Sequence, residues 1–468
     1  MNKRRLFSVL FAVTPFACAA QQQSPFTPSL MEELRELQQT AITSRSGYDF
    51  LEHLSDEIGP RLPGSPQAQA AVEYVSAEFK RLGLEVRKEP VTVPHWVRGE
   101  ERAELVKFPG GTEGLTQKIV VTALGGSVPT PSEGFTAPVV VVNGLEQFDG
   151  LAPDALKGKI VLFNQAFDVQ LAQAGFAHEA YLQVVRQRVL GANRAAELGA
   201  SASLLRSIGS ANFRLAHTGS VIYSGERKIP AGAISAEDAD LIERLGRGGA
   251  VTMHLVLTPQ VLPEATSANV IADLKGSRFP EQVVIISAHL DSWDLGTGAL
   301  DDGAGVAMVL QAAQAITSMH LKPLRTIRFL AWMNEENGGS GYIEYLERHK
   351  AELGNHVAVI DIDVGTGHPL GYATDAAEPY RQMLRPLSAI LQTQGAALTR
   401  ASSEGTDFSD YGIASLDPIV DIRNLYDATH TAADTFDKVD LKGLQENAAM
   451  DAVLAYAVAS IEPRIAMK

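Results

Sequence analysis

Three short apolar runs in the carboxyl-terminal half of this chain end in acids or histidine. VVIISAHLD closes on His289 and Asp291, TIRFLAWMNEE on Glu335 and Glu336, and VAVIDID on Asp361 and Asp363. Runs of this length and β-branched content predict strands buried on both faces, and the apolar GAGVAMVLQAAQAI between the first two predicts a helix. Together with a long final helix around LQENAAMDAVLAYAVASI, the succession predicts an α/β fold with a mixed, centrally parallel sheet flanked by helices. Ligands of such sheets gather at the carboxyl ends of the strands. A carboxylate there is costly to bury unless it is paired, hydrogen-bonded or bound to metal. One His or Asp after a strand reads as an ordinary turn or cap residue; three such strand ends together predict a metal site.

At 468 residues the chain is too long for one ordinary core, so two or three domains are expected. A net charge of −15 argues against a nucleic-acid partner held by a basic surface. The single cysteine, Cys18, excludes an internal disulfide. It lies in MNKRRLFSVLFAVTPFACAA, where Lys3, Arg4 and Arg5 precede a short apolar run and small residues. This reads as a signal peptide over residues 1–20 and places the mature protein in the periplasm or outside the cell. A lipoprotein signal would instead anchor the chain through Cys18, a pattern that Pro15 and Phe16 fit poorly. No later stretch is apolar enough to span a membrane.

After the leader, SLMEELRELQQTAITSRSGYDFLEHLSDEI predicts helix, IGPRLPGSP interrupts it, and AQAAVEYVSAEFKRLG places Val72, Val75, Phe79 and Leu82 on one helical face before a capping Gly83. LEVRKEPVTV then alternates as a strand does. Between residues 110 and 257 the text changes to short β-rich runs (APVVVVNG, KIVLFNQ, AVTMHLVL) with one helical piece near NRAAELGA. An inserted β-rich module over 110–257 is expected, dividing a main domain of residues 21–109 and 258–468.

A two-metal hydrolytic site needs a bridging carboxylate, terminal His and carboxylate ligands, and a free carboxylate to move protons. In GALDDGAGVAMVL, one of Asp301 and Asp302 can cap the following helix while the other enters the site. Of the adjacent Glu335 and Glu336, one can bind metal while the other faces substrate. The second histidine is sought in YDATHTAADTFDKVD, where His430 lies among small and acidic residues; the remaining histidines lack a comparable setting. Gly298, Gly303 and Gly305 do not have the spacing of a dinucleotide loop.

The order His289-x-Asp291, Asp301, Glu335-Glu336, Asp363, His430 resembles the co-catalytic di-zinc exopeptidase family. AHLDSWDLGTGALDDGAGV, MNEENGGSGY, DIDVGTG and IGPRLPGSP resemble its carboxypeptidase Q branch. The resemblance implies a di-zinc exopeptidase fold in which the insert, with GKIVLFNQ and IPAGAISAEDADLIERL, is a protease-associated domain. It implies two Zn2+ per chain, with His289 and Asp363 on one, Glu336 and His430 on the other, and Asp301 bridging. It makes Glu335 the general base and then acid, has Asp291 accept a hydrogen bond from His289, and suggests a homodimer. Asp434 matches a further family position without a settled role, and Ala432 in THTAADT departs from relatives that carry another histidine there. The implied activity is hydrolysis of dipeptides or of terminal residues of short peptides. An aminopeptidase with the same metal core, or a non-catalytic receptor-like homologue, remain the alternatives.

Overall fold

The computed structural model describes residues 24–152, 154–211, 213–402 and 408–467. The leader and Cys18 lie outside these residues. The amino-terminal helices form where capping chemistry favours them: the Thr27 side chain accepts from Leu30 N ahead of Pro28–Thr43, and Ser65 accepts from Ala68 N ahead of Pro66–Arg81. Val72, Val75 and Phe79 are buried on one face of the second helix, and Gly83 takes φ +80 just after its end.

One eight-stranded sheet runs, in spatial order, Glu85–Val97, Gln260–Leu274, Arg325–Trp332, Phe279–His289, His356–Asp361, Ala414–Val420, Pro369–Thr374 and Leu398–Ala401. Its central strands pair in parallel, with Phe279–His289 lying between Arg325–Trp332 and His356–Asp361. The apolar strand sequences follow from cover on both faces. Val284, Ile286 and Ala288 pack with helices Ala304–Ser318 and Leu441–Ser460, while Val283 and Ile285 pack with Tyr345 and Leu346 on the other side. Arg325 and Arg328, basic residues in this core, are buried and fully engaged. Arg328 pairs with Asp273 at 2.8 Å and Arg325 donates to carbonyls at the end of the last helix, Val458 O at 3.2 Å among them.

A second eight-stranded sheet is drawn from Glu101–Lys107 through Thr252–Leu257. It therefore begins before residue 110, because Glu101–Lys107 pairs antiparallel with Thr252–Leu257. Nor is it only β-rich. Strands Phe135–Val142, Ile160–Phe163, Ala202–Arg206 and Ala231–Ile234 pair in parallel, and helices Ala177–Glu197 and Ala236–Gly246 accompany them. The longer helix escapes a reading by hydrophobic period because its buried face is made of small or polar residues such as Ala177, Ala180, Gln187 and Ala195. Among the described residues no helix is long and apolar enough to cross a membrane.

Candidate metal centre

The chain leaves strand Phe279–His289 through helix Ala304–Ser318 to reach its neighbour Arg325–Trp332, then crosses to His356–Asp361 on the opposite side. The two connections diverge, which opens a crevice at the carboxyl end of the central strand. His289 is the last residue of that strand, Glu335 and Glu336 follow Trp332 closely, and Asp363 lies two residues beyond Asp361. His430 comes from the loop before the final helix and takes a left-handed backbone, φ +63, with its carbonyl accepting from Thr218 N at 2.9 Å.

The structure brings four other predicted residues, His289, His430, Glu336 and Asp363, together with Asp301. Its Oδ1 lies 3.1 Å from His289 Nε2 and its Oδ2 lies 3.1 Å from His430 Nε2. Asp363 Oδ1 is 3.9 Å from His289 Nε2, and Glu336 Oε1 is 3.4 Å from His430 Nε2. Each imidazole is anchored through its other nitrogen on a backbone carbonyl: His289 Nδ1 to Asp291 O at 3.0 Å, His430 Nδ1 to Thr218 O at 3.3 Å. A carbonyl only accepts, so the proton sits on Nδ1 in both rings and each Nε2 presents a lone pair. His289 Nε2 and Glu336 Oε1 are shielded from solvent yet make no hydrogen bond. Close approach without donor geometry is what ligands around shared cations show. His289, Asp301 and Glu336 offer ligand atoms within 4.8 Å of one another, as do His289, Asp302 and Asp363.

Electrostatics gives the same indication. Burial pushes the Glu336 carboxyl well up, and the charges of Asp301 and Glu335 add to this. Glu335 is exposed and lines the cleft. Desolvation there, opposed by His289 and reinforced by Asp363, Asp291 and Asp301, pushes it up to about 7 with protein charges alone. So many acids in one crevice call for positive charge, which a bound cation would supply. The donor set, His nitrogen and carboxylate oxygen without thiolate, fits zinc in an open catalytic site.

Asp291 has a different role from the one expected. Its carboxylate is 3.8 Å from His289 Nδ1, beyond hydrogen-bond reach, and instead accepts from the backbone N–H of Glu335 at 3.0 Å and of Glu336 at 3.2 Å. A fully buried carboxylate takes the donors that best satisfy it, and these amides fix the loop carrying both glutamates. Asp302 takes the capping role, accepting from Gly305 N at 3.0 Å and from His289 N at 3.2 Å. Gly305 has to be glycine here, since a Cβ would meet the Asp302 carboxylate at 2.4 Å. Trp293 is packed in the core, and its Nε1 donates to Glu336 Oε2 at 2.6 Å, steering the other oxygen into the site.

Asp434, whose role the sequence left open, accepts from Leu300 N at 2.7 Å and Asp301 N at 3.2 Å. Burial and the Asp301 charge push it up to about 7, while the Leu300 amide and Arg61 oppose this. Arg61, from the IGPRLPGSP turn, is fully buried and ties the loops together through Leu290 O at 2.6 Å, Thr297 O at 2.7 Å and Gly298 O at 2.8 Å. Asp434→Ala is expected to weaken zinc binding roughly 10- to 100-fold, as loss of such supports does. Competition titration with a zinc chelator measures it, and an unchanged affinity would show that Asp434 does not position Asp301.

The cleft beside the cluster has a volume of about 840 Å³ and is walled on its far side by the second sheet's module, including Tyr181, Arg188 and Ser220. Thr218 and Arg188 were not foreseen from the sequence. Their only signal would have been the placement of a threonine and an arginine against loops hundreds of residues away.

A switch-point crevice holding two lone-pair imidazoles and a ring of carboxylates beside a cleft defines a metal-dependent hydrolase. Comparison with known proteins narrows this. Residues 269–455 match Peptidase family M28. Carboxypeptidase Q of Bos taurus is 36% identical over 421 residues, 89% of this chain and 85% of its own. The crystal structure of a Peptidase M28 precursor from Shewanella amazonensis SB2B, also 36% identical, superposes with a TM-score of 0.87 over 93% of this chain and 98% of that one. A zinc aminopeptidase from Bacillus subtilis, at 20% identity, shares the fold with a TM-score of 0.64 over 89% of this chain and 95% of its own. The chain belongs to peptidase family M28 and is a zinc metallopeptidase.

Proposed function

We propose that this metallopeptidase holds two zinc ions, one on His289 and Asp363 and the other on Glu336 and His430, with Asp301 shared, and that it releases carboxyl-terminal residues from short peptides or splits dipeptides. The observation that carries the reading is the pair of Nδ1-anchored imidazoles whose Nε2 atoms face the two oxygens of one carboxylate at 3.1 Å. When bound, the zinc pair supplies Lewis acidity toward the scissile carbonyl and toward water. Glu335 takes the proton from the attacking water and returns it to the leaving nitrogen. Its carboxylate lines the cleft beside the proposed ligands, where it can both accept and give that proton. Asp291 keeps Glu335 in place through the amide it binds at 3.0 Å. A cleft of about 840 Å³ suits a peptide of a few residues. The names of the carboxypeptidase Q relatives agree with action at the carboxyl end.

The leader pattern supports export, and the second sheet, with GKIVLFNQ supplying its strand Ile160–Phe163, supports reading the insert as a protease-associated domain. Tripeptides with three different residues test the direction of attack. The carboxyl-terminal amino acid is expected as the first product in a chromatographic time course; first release of the amino-terminal one makes the protein an aminopeptidase.

A further inference from the structure

We propose that Arg188 is the anchor for the free α-carboxylate of the substrate, and that this subsite makes an unblocked carboxyl terminus a requirement for efficient cleavage. The inference rests on the carboxyl-terminal reading above and adds the residue that enforces it.

Arg188 sits on helix Ala177–Glu197 of the second sheet's module, and among the described residues lining the cleft it is the only Lys or Arg; the metal side of the same cleft is lined by Asp301, Glu335, Glu336 and Asp363. Its hydrogen bonds within the protein are to neutral oxygens. Nη2 donates to Tyr181 OH at 2.7 Å and Nη1 to Thr218 O at 3.5 Å. Its Nε is shielded from solvent and has no acceptor. No carboxylate of the described residues pairs with it, whereas Arg98, which lies outside the cleft lining but also reaches Thr218, is bound to Asp294 and Glu101. A guanidinium has five donors in a planar fork that matches a carboxylate two bonds at a time, and a shielded N–H without an acceptor is costly.

The position is as informative as the chemistry. The Thr218 carbonyl that accepts a hydrogen bond from His430 Nδ1 at 3.3 Å also accepts from Arg188 Nη1 at 3.5 Å, so one carbonyl oxygen separates a proposed zinc ligand from the fork. An extended residue spans roughly 3.3–3.6 Å. With the scissile carbonyl at the metal centre, a terminal carboxylate one residue further on comes to the guanidinium, and a longer carboxyl-terminal tail would overrun it. The fork is also held ready. It lies 5.6 Å from the Tyr181 ring, which stacks on Tyr426 with centroids 4.7 Å apart. Burial keeps the Tyr181 phenol raised and therefore protonated, so its hydroxyl can accept from Arg188 and donate to a carboxylate. Gly219 makes room for this arrangement: a Cβ there would come within 2.4 Å of Arg188 Cζ. An α-ammonium group in the same place would be repelled, so the geometry selects an acid terminus over an amine.

The test compares alanyl-leucine with alanyl-leucinamide on the zinc-loaded full chain and on its Arg188→Met and Arg188→Lys variants, with zinc content and Tm measured for each. The wild type is expected to prefer the acid. Arg188→Met is expected to lower kcat/KM for the acid roughly 10- to 150-fold, chiefly through KM, as loss of a charged hydrogen-bond partner does, and to change the amide little. Arg188→Lys, which keeps the charge without the fork, falls between. Calorimetry with leucine and leucinamide reads the same subsite without turnover: leucine binding is lost in Arg188→Met. A wild type that prefers the acid beside an Arg188→Met variant that keeps this preference overturns the inference alone. A wild type that cleaves the amide as well as the acid overturns the carboxyl-terminal reading and the inference with it.

Discussion

Glu335→Gln is expected to reduce kcat by about two to four orders of magnitude while the protein keeps its zinc and its peptide affinity. The exchange preserves size and leaves the backbone amide that Asp291 holds at 3.0 Å, so the loop and the neighbouring Glu336 stay in place. What disappears is a carboxylate that lines the cleft and is proposed to accept and return one proton. Because that proton moves only in the transition state, the loss falls on kcat and leaves binding intact. Metal analysis, calorimetry with a slowly cleaved peptide and steady-state rates separate the three quantities. Full activity in a zinc-loaded Glu335→Gln protein would assign the proton transfer to another group.

Loss of the shared carboxylate is expected to have the larger effect. In Asp301→Ala both imidazoles lose the oxygen that faces them at 3.1 Å, and two sites fail at once. Zinc per chain should fall from the proposed two to less than one, and activity to at most the level of the Glu335→Gln protein. Chelation of the wild type should abolish activity reversibly and lower Tm, since a cation bound only by the folded state stabilises it, by roughly 4 kcal/mol at a thousandfold excess over Kd. Without the cation, burial and neighbouring charge push the carboxyls of Glu336 and Asp302 up, so the emptied crevice carries an electrostatic cost of its own. The Tm of Asp301→Ala should respond weakly to the chelator. One tightly held zinc and substantial turnover in that variant would show that Asp301 is not shared.

The central sheet and the strand ends were legible because periodicity and polarity agree there. Val283 to Ala288 are buried on both faces, and only the carboxyl end of such a strand can carry polar groups toward a ligand. His289, Glu335, Glu336 and Asp363 stand at three of these ends, so a reader of the chain meets them as a group. The helix Ala177–Glu197 is hidden among the β-rich runs of the insert because it buries alanines and Gln187 in place of a large apolar stripe, leaving the helical period faint. The strand Glu101–Lys107 is not assignable to this sheet from sequence, because its pairing with Thr252–Leu257 joins segments far apart in the chain.

By itself the sequence determined the class of the main sheet, the acidic strand ends and a ligand inventory without thiolates, since each depends on local pattern or composition. Only the tertiary structure decided which group does what. That Asp301 faces two imidazoles while Asp302 caps a helix, that Asp291 binds two amides and leaves the His289 ring to a carbonyl, and that Thr218 connects His430 to Arg188 all depend on the directions of side chains brought together across long stretches of chain. Hydrogen bonds and metal ligation are short-ranged and angular, so their partners are chosen by geometry that no residue spacing encodes.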